Sequence, residues 1–181
     1  MEHKDIRKVF TETMIKKAFI ELLKTKNISK ITVNDLCQMS SVNRSTFYRY
    51  YLDVYDLCEK IENDCLNELI EKAGQIDNVG IDKFFDQTLL IIKENPVFGL
   101  IQNVEQSKLI RRIIDHYREE LLRVWKNQHP EIPQNELDYM FECLTGGITF
   151  VINKWVKSGM KETFDEIRSV MRRMGFFGVF G

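Results

Sequence analysis

The feature that most constrains the fold is a pair of helix-start signals that lie close together early in the chain. Thr32 stands three residues ahead of Asp35 in "TVND", a variant of the capping box, and Asn43 is a favoured N-cap residue. The stretch between them leaves room for one short helix, which ends at the Ser40-Ser41 turn. A second short helix follows over residues 44–50. Two short helices joined by a tight turn predict a helix-turn-helix unit, whose second helix enters the major groove of DNA.

Apolar residues recur at helical spacing along the chain. In the first helix, over residues 6–24, they are Ile6, Phe10, Ile15, Ala18, Phe19, Leu22 and Leu23. Asp53 starts a fourth helix that runs to about Lys72. Later helices are predicted near 80–94, 107–127, 134–158 and 163–173. No segment shows the sustained alternation that is typical of a strand, so we predict an all-α fold.

Helical spacing divides the second helix of the unit, "NRSTFYRYY", into two faces. Phe47 and Tyr51 share a face with Val42 and are predicted to pack on the first helix. The rest of the segment is polar or carries a polar tip and is predicted to face DNA: Asn43, Arg44, Ser45, Thr46, Tyr48, Arg49 and Tyr50. Ser45 is small enough to let the helix backbone approach the nucleic acid.

The polar groups differ in what they can contact. Arg44 can reach either a guanine edge or a phosphate, and the hydroxyls of Thr46, Tyr48 and Tyr50 suit phosphate oxygens. Thr32 caps a helix whose first N–H groups can hold another phosphate. The alternative is that all the tyrosines belong to the core. A three-helix unit has little volume to bury them, which favours the DNA-facing hypothesis for Tyr48 and Tyr50.

Charge is unevenly distributed along the chain. Residues 1–51 hold ten basic and five acidic residues, a net charge of +5, whereas residues 52–181 hold sixteen basic and twenty-two acidic residues, a net charge of −6. A basic N-terminal part is expected of a protein that binds a polyanion. The N-terminus has no apolar signal region, and Asn153 and Lys154 interrupt the most apolar late stretch. We therefore predict a cytoplasmic protein without a membrane span.

Motifs of enzymes are missing from the sequence: it contains no HExxH, P-loop or GxSxG, and no GxGxxG after a strand. We therefore predict no catalytic residue, no metal site and no cofactor. The four cysteines form no CxxC and are expected to be reduced, small apolar residues. Cys58 and Cys65 lie seven residues apart on one predicted helix, which leaves a thiol switch as an open alternative.

The segment "ITVNDLCQMSSVNRSTFYRYYLDVYDL", with "MIKKAFIELL" ahead of it, resembles the N-terminal domain of the TetR family of transcriptional repressors. The later "GGITFVINKWVKSGMKETFDEI" resembles the Gly…Trp…Gly pattern near the C-terminus of many members. The resemblance implies an all-α homodimer with a DNA-binding domain over 1–52 and a regulatory and dimerisation domain over 53–181, with helix four (53–72) as connector. It implies DNA-facing roles for Thr32, Arg44, Ser45, Thr46, Tyr48 and Tyr50.

Three positions depart from the family pattern. The Ala-Gly that is usual in the turn is Ser40-Ser41 here, so Ser41 must hold a backbone geometry that Gly adopts more easily. Tyr50 stands where His is often found and keeps a polar tip. Val54 replaces the Lys that commonly opens helix four and meets a phosphate, which should lower the salt dependence of DNA binding by about one unit.

The C-terminal body carries two further predicted sites. An apolar effector pocket could be lined by Phe84, Phe85, Leu89, Phe98, Leu100, Tyr117, Trp125, Tyr139 and Phe141, although plain helical core is the alternative for each. The resemblance places a dimer interface on the last two helices, with Gly146, Gly147, Phe150, Trp155, Phe164, Ile167 and Met171 as candidates. The apolar tail "MGFFGVFG" could dock into the partner subunit or cover the body.

Together these features predict a dimeric regulator that binds an inverted repeat in double-stranded DNA. We expect a repressor that a small apolar or amphipathic effector releases from its operator. The alternative is a regulator whose body binds a partner protein and has no ligand cavity.

Overall fold

The computed structural model describes residues 2–76, 81–104 and 107–173, which form ten α-helices, one 3₁₀-helix at Ile28–Lys30 and no strand. The helices are α1 (Glu2–Leu23), α2 (Val33–Ser40), α3 (Arg44–Tyr50), α4 (Val54–Ala73), α5 (Ile81–Glu94), α6 (Pro96–Gln102), α7 (Leu109–His116), α8 (Arg118–Gln128), α9 (Gln134–Lys157) and α10 (Phe164–Arg173). The predicted all-α fold is confirmed. Within these described ranges, no helix combines the length and apolar character needed to cross a membrane.

The chain divides into two compact units, Met1–Asp64 and Cys65–Gly181, and each is described by itself. The division falls inside α4, later than the boundary predicted at residues 52 and 53. The first turns of α4 carry buried side chains, among them Val54 and Leu57, and therefore belong to the first unit.

Helix caps fix the two short helices of the first unit. The Thr32 hydroxyl accepts a hydrogen bond from the Asp35 N–H (3.1 Å), and the Asp35 carboxylate accepts one from the Thr32 N–H (2.9 Å), as expected for a capping box. Asn43 Oδ1 accepts a hydrogen bond from the Thr46 N–H (2.8 Å) at the start of α3. Between the helices, Ser41 has φ 56° and ψ 31°, so a serine holds the left-handed conformation that suits glycine.

Helix α1 is longer than the elements that pack on it. Ile15 and Phe19 are fully buried, whereas Ile6 and Phe10, which the spacing placed on the same apolar face, are 61% and 66% exposed. At 1.5 Å per residue α1 extends about 33 Å, whereas its neighbour α2 spans about 12 Å. The apolar spacing of the first helix therefore predicts burial correctly only in its second half.

Helix α9 is central to the second unit, where it contacts α6, α7, α8 and α10. One side of α9 is buried: Leu137, Phe141, Leu144, Thr145, Ile148, Ile152, Trp155 and Val156. At the start of α10, the Glu166 carboxylate accepts a hydrogen bond from the Thr163 N–H (2.7 Å) and the Thr163 hydroxyl accepts one from the Glu166 N–H (3.3 Å). This is the capping box expected from "TFDE".

Two parts of the second unit differ from the prediction. The helix expected over 107–127 is two helices, which meet at Tyr117 (φ −94°, ψ 3°), and the Tyr117 hydroxyl donates a hydrogen bond to the Gly74 carbonyl (3.1 Å). Helix α6 was not predicted at all. Pro96 occupies its first turn and Asn95 Oδ1 accepts hydrogen bonds from two first-turn N–H groups, at 2.9 and 3.2 Å. The Asn-Pro pair was the signal for this start.

Candidate nucleic-acid interface

Helix α3 has one buried and one exposed side. Phe47 and Tyr51 are 1% and 2% exposed, and their ring centroids lie 5.5 Å apart, which anchors the helix in the first unit. Arg44, Tyr48 and Arg49 are exposed and define the exposed side of α3. The structure therefore separates the aromatic anchor from the polar groups as the spacing predicts.

At the start of α3, Asn43 and Ser45 are joined by a hydrogen bond. Asn43 Oδ1 accepts from the Ser45 hydroxyl (2.8 Å) as well as from the Thr46 N–H. The cap holds the first turn of α3 in one geometry while leaving Asn43 and Ser45 exposed and Thr46 half-buried. The Asn43 oxygen thus orients the helix, which is a structural task beyond the DNA-facing role predicted for it.

Arg44 and Tyr48 lie one turn apart and are linked through their side chains. The Arg44 guanidinium donates a hydrogen bond to the Tyr48 hydroxyl, which raises the pKa of Arg44 above its ordinary value. The Tyr48 ring is 49% exposed and meets the buried Phe47 ring edge to face, with centroids 5.6 Å apart. Packing on one side and Arg44 on the other therefore hold the phenol in place on the exposed side of α3.

The end of α3 is tied to α4 by a residue that the sequence reasoning missed. Lys60 Nζ donates hydrogen bonds to the Tyr50 carbonyl (2.7 Å) and to the Asp56 carboxylate (3.1 Å), and it lies 4.9 Å from the centre of the Tyr51 ring. A cation at a helix C-terminus is favourable because the last carbonyls carry partial negative charge. The spacing of Asp56 and Lys60 indicated an ion pair, but nothing local indicated the contact with α3.

Two apolar residues, Leu52 and Val54, follow α3 and bring no positive charge to this region. Val54 is only 6% exposed, so the residue that replaces the family's lysine packs in the core. Leu52, in the turn before α4, is 80% exposed.

At the start of α2, hydrogen bonds from Thr32 lower the pKa of Asp35, and Lys26 lies 3.3 Å from that carboxylate. A phosphate at the start of α2 would therefore approach the Asp35 carboxylate, whose negative charge is partly neutralised by Lys26.

The second unit contains an apolar cavity of about 50 Å³. Five of the predicted pocket residues line it: Phe84, Phe85, Leu89, Tyr117 and Phe141. Four others do not line it: Phe98, Leu100, Trp125 and Tyr139. Phe98 and Leu100 belong to α6, which contributes no lining residue. The Trp125 ring packs beside Phe141 at 6.4 Å, and Tyr139 is 77% exposed on the outside of α9.

The predicted dimer residues fall into two groups. Trp155, Ile167 and Met171 are 1%, 7% and 0% exposed, and Met171 lines the cavity, so these three belong to the core of the unit. Phe150 is 72% exposed and Gly146 is exposed as well, while Gly147 and Phe164 are half-buried. Helical periodicity identifies an apolar face without identifying what covers it, and the dimer interface stays a prediction.

An exposed stripe on α9 joins the remaining candidates. Tyr139, Cys143, Gly146 and Phe150 follow one another at spacings of four, three and four residues and are all exposed. A Cβ atom added to Gly146 would meet nothing within 4 Å, so the described chain does not occupy the space beside this glycine. Cys58 and Cys65, by contrast, are buried. The apolar tail lies in residues 174–181, outside the described residues.

Comparison with known proteins points to regulators. Residues 81–175 match the family model TetR_C_8, described as a transcriptional regulator C-terminal region. The chain is 28% identical over 95 residues to the HTH-type dhaKLM operon transcriptional activator DhaS of Lactococcus lactis subsp. lactis (strain IL1403). This match covers 51% of the chain and 48% of the relative, about half the length of each.

Solved structures give the fold over nearly the whole chain. A TetR transcriptional regulator from Streptococcus agalactiae 2603V is 22% identical, with a TM-score of 0.73 over 96% of this chain and 97% of that one. The fatty acid degradation regulator FadR from Bacillus halodurans is 11% identical, with a TM-score of 0.69 over 94% and 96%. A dihydroxyacetone kinase operon activator DhaS is 20% identical, with a TM-score of 0.60 over 92% and 94%.

Proposed function

Because the chain belongs to the TetR family of transcriptional regulators, we propose that it binds an operator as a homodimer and that its second unit controls this binding. The chain is a regulator and not an enzyme, as its family membership shows. We place it in the cytoplasm because the chromosomal DNA of the bacteria that hold its relatives lies there.

The exposed side of α3 carries the DNA-binding proposal. Arg44 and Arg49 supply positive charge, and the Tyr48 hydroxyl lies beside Arg44. Phe47 and Tyr51 anchor the helix on its buried side, so its backbone holds these groups in a fixed position in the unit. A guanidinium group such as that of Arg44 can donate to a guanine edge or to a phosphate, and this side of α3 would lie in the major groove.

The other polar groups are proposed to set the register of the complex on the phosphate backbone. Ser45, Thr46 and Tyr50 flank the exposed side of α3, and Asn43 holds its first turn. Thr32 caps α2, whose first-turn N–H groups are the phosphate donors of that helix. Phosphate contacts of this kind position a protein without reading sequence.

The exposed stripe on α9 is proposed to pair with the same stripe of a second copy. Tyr139 and Phe150 offer apolar surface that is costly to leave in water, and Gly146 leaves space for close approach of a helix. The other two candidates, Gly147 next to Gly146 and Phe164 at the start of α10, are half-buried in the unit. A two-fold dimer places two α3 helices on an inverted repeat whose half-sites lie about one helical turn apart.

We propose that the cavity in the second unit is the effector site and that the protein is a repressor released by its effector. The support is the apolar lining, which suits a small apolar or amphipathic molecule. Such a molecule releases the operator if it binds more tightly to a conformation whose α3 helices do not match the half-sites. Effector and DNA then weaken each other's binding by the same factor.

A second candidate function has its own support. The relative from Lactococcus lactis is an activator, and the cavity of about 50 Å³ is well below the several hundred Å³ of usual ligand sites. These observations favour a regulator whose body binds a partner protein. Two results together would favour this function over the first. Mutation of exposed residues of the second unit would abolish binding of the partner protein, and mutation of residues that line the cavity would leave that binding unchanged.

Salt-dependent titration of labelled duplex DNA tests the DNA-binding proposal. Arg44→Ala should weaken binding to a preferred sequence by about 1–3 kcal/mol if Arg44 contacts a base, or lower the salt slope by about one if it contacts a phosphate. Lys93→Ala removes a positive charge from the exposed side of α5 and is the matched control. Equal binding by both variants and the unchanged protein would refute a role for α3.

A further inference from the structure

The cap of α3 fixes which way the Asn43 amide faces. The Thr46 N–H can only donate, and it lies 2.8 Å from Asn43 Oδ1, so the oxygen of the amide is turned toward the helix. The NH₂ group is on the other branch of the amide and has no hydrogen-bond partner in the described part of the chain. Because Asn43 is exposed, its two N–H donors are open to a ligand outside the protein.

Ser45 completes the set of donors to the Asn43 oxygen. The Ser45 hydroxyl donates to Asn43 Oδ1 at 2.8 Å, beside the bond from the Thr46 N–H. A carbonyl oxygen has two lone pairs, so these two bonds use its full capacity to accept. Asn43 therefore offers donors to a ligand and no acceptor, while the one hydrogen atom of the Ser45 hydroxyl is engaged inside the protein.

This bonding state changes which base an asparagine can recognise. An asparagine with a free oxygen suits adenine, because the amide accepts from adenine N6 and donates to adenine N7. When the oxygen is saturated, the hydrogens on adenine N6 face the amide hydrogens and find no acceptor. Guanine presents two acceptors, O6 and N7, at the same edge. A donor-only amide therefore suits guanine and disfavours adenine.

The place of Asn43 in the fold makes a base edge its expected ligand. In helix-turn-helix proteins the N-terminal residues of the second helix contact base edges in the major groove. Asn43 directly precedes α3, whose exposed side carries the proposed DNA contacts. Arg44, the next residue, is also a donor without an acceptor, so two adjacent side chains present donors at the start of α3.

Building on the DNA-binding function proposed above, we infer that Asn43 is a specificity-determining residue that selects guanine over adenine at one position of each operator half-site. Ser45 is the positioning residue for this contact, because its hydroxyl closes the Asn43 oxygen to adenine N6. For the Ser45 hydroxyl, this role takes the place of a phosphate contact.

The test is selection of bound sequences from random duplex DNA by the full-length protein and its variants. Asn43→Ser keeps a capping oxygen and removes the amide donors. It should lower the ratio of guanine to adenine about fivefold at one position of each half-site and leave the other positions unchanged. Ser45→Ala frees the Asn43 oxygen to accept from adenine, so it should lower the ratio at that same position about threefold or more.

Two further variants separate this role from a merely structural one. Ser45→Thr keeps a hydroxyl and should keep the guanine-to-adenine ratio of the unchanged protein. Ser29→Ala removes the same kind of bond ahead of α2, where the Ser29 hydroxyl donates to Asn27 Oδ1 at 2.9 Å. This control should change the ratio less than about twofold, because contacts away from the base edges carry no sequence information directly. Hydrogen exchange of the Thr46 amide, which the cap protects, shows whether the start of α3 is intact in each variant.

Three results would each overturn the inference: Asn43→Ser alters no single position, the unchanged protein prefers adenine at the position that Asn43→Ser alters, or Ser45→Ala leaves the ratio there unchanged. A protein that enriches no sequence at all would refute the proposed function and this inference together. An enriched inverted repeat combined with any of the three results would refute the inference alone and leave the proposed function supported.

Discussion

Replacement of Ser41 by glycine should stabilise the first unit. Ser41 ends α2 with φ 56° and ψ 31°, and its N–H donates to the Cys37 carbonyl. In the left-handed region the Cβ atom crowds the backbone, at a cost of about 1–2 kcal/mol for a residue other than glycine. Ser41→Gly removes that Cβ atom and leaves the backbone hydrogen bonds of the turn in place.

The net effect is smaller than the relief of strain. Glycine also gives the unfolded chain more conformations, which costs about 0.4–1 kcal/mol on folding. The difference is a gain of about 0.5–1 kcal/mol in the free energy of unfolding. Ser41→Ala keeps the Cβ atom and therefore the strain, so it is the matched control and should change the stability little.

Tryptophan fluorescence would not report on the first unit, because both tryptophans of the chain, Trp125 and Trp155, lie in the second unit. Hydrogen exchange is therefore the suitable assay. Amide protection of Leu36 and Phe47, which are buried in α2 and α3, reports on the first unit alone. Ser41→Gly should slow their exchange about two- to fivefold relative to Ser41→Ala, as expected from the free-energy gain. Unchanged or faster exchange in Ser41→Gly would refute the strain argument.

Three further predictions concern other parts of the chain. Lys60→Met removes the donor to the Tyr50 carbonyl and should lower the discrimination between operator and random DNA by about 1 kcal/mol. The salt dependence of DNA binding should not change, and a weaker salt dependence would indicate that Lys60 contacts a phosphate instead. Lys72→Met on the same helix is the control. Gly146→Ala should stabilise α9 by about 0.5–1 kcal/mol. It should also weaken dimerisation in sedimentation experiments, because the added methyl group fills the space proposed for the partner helix. Unchanged dimerisation would show that Gly146 does not lie in the interface. Hydrogen bonds from Arg111 and Arg118 lower the pKa of Glu142 below its ordinary 4.5, so the carboxylate stabilises the fold above pH 4.5 and this contribution is lost as the pH falls through the folded pKa. The thermal stability of Glu142→Gln should therefore fall less on acidification than that of the unchanged protein. An equal fall in both proteins would contradict this role of Glu142.

Local signals explain what could be predicted from the sequence. The boundaries of α2 and α3 follow from caps at Thr32 and Asn43, whose partners are three residues away. The separation of Phe47 from Tyr48 follows from helical spacing, which acts within one element. These features depend on residues that are neighbours in the chain, so the sequence contains them directly.

Contacts between distant residues explain what could not be predicted. The break at Tyr117 coincides with a hydrogen bond to Gly74, and Lys60 reaches a carbonyl ten residues earlier. Trp155 and Met171 are apolar at helical spacing whether the covering surface belongs to the same unit or to a second copy. The sequence is equally silent on Thr88, whose buried hydroxyl has no hydrogen-bond partner among the described residues, because this depends on which groups surround the side chain in space.

The most direct test of the account is selection of bound sequences from random duplex DNA by the full-length protein. The account predicts an enriched inverted repeat, with half-sites whose centres lie about 10 base pairs apart or a multiple of that distance. The enrichment should be lost in Arg44→Ala and kept in Lys93→Ala. Weak binding that favours no sequence, and that is equal in both variants, would contradict sequence-specific recognition by α3.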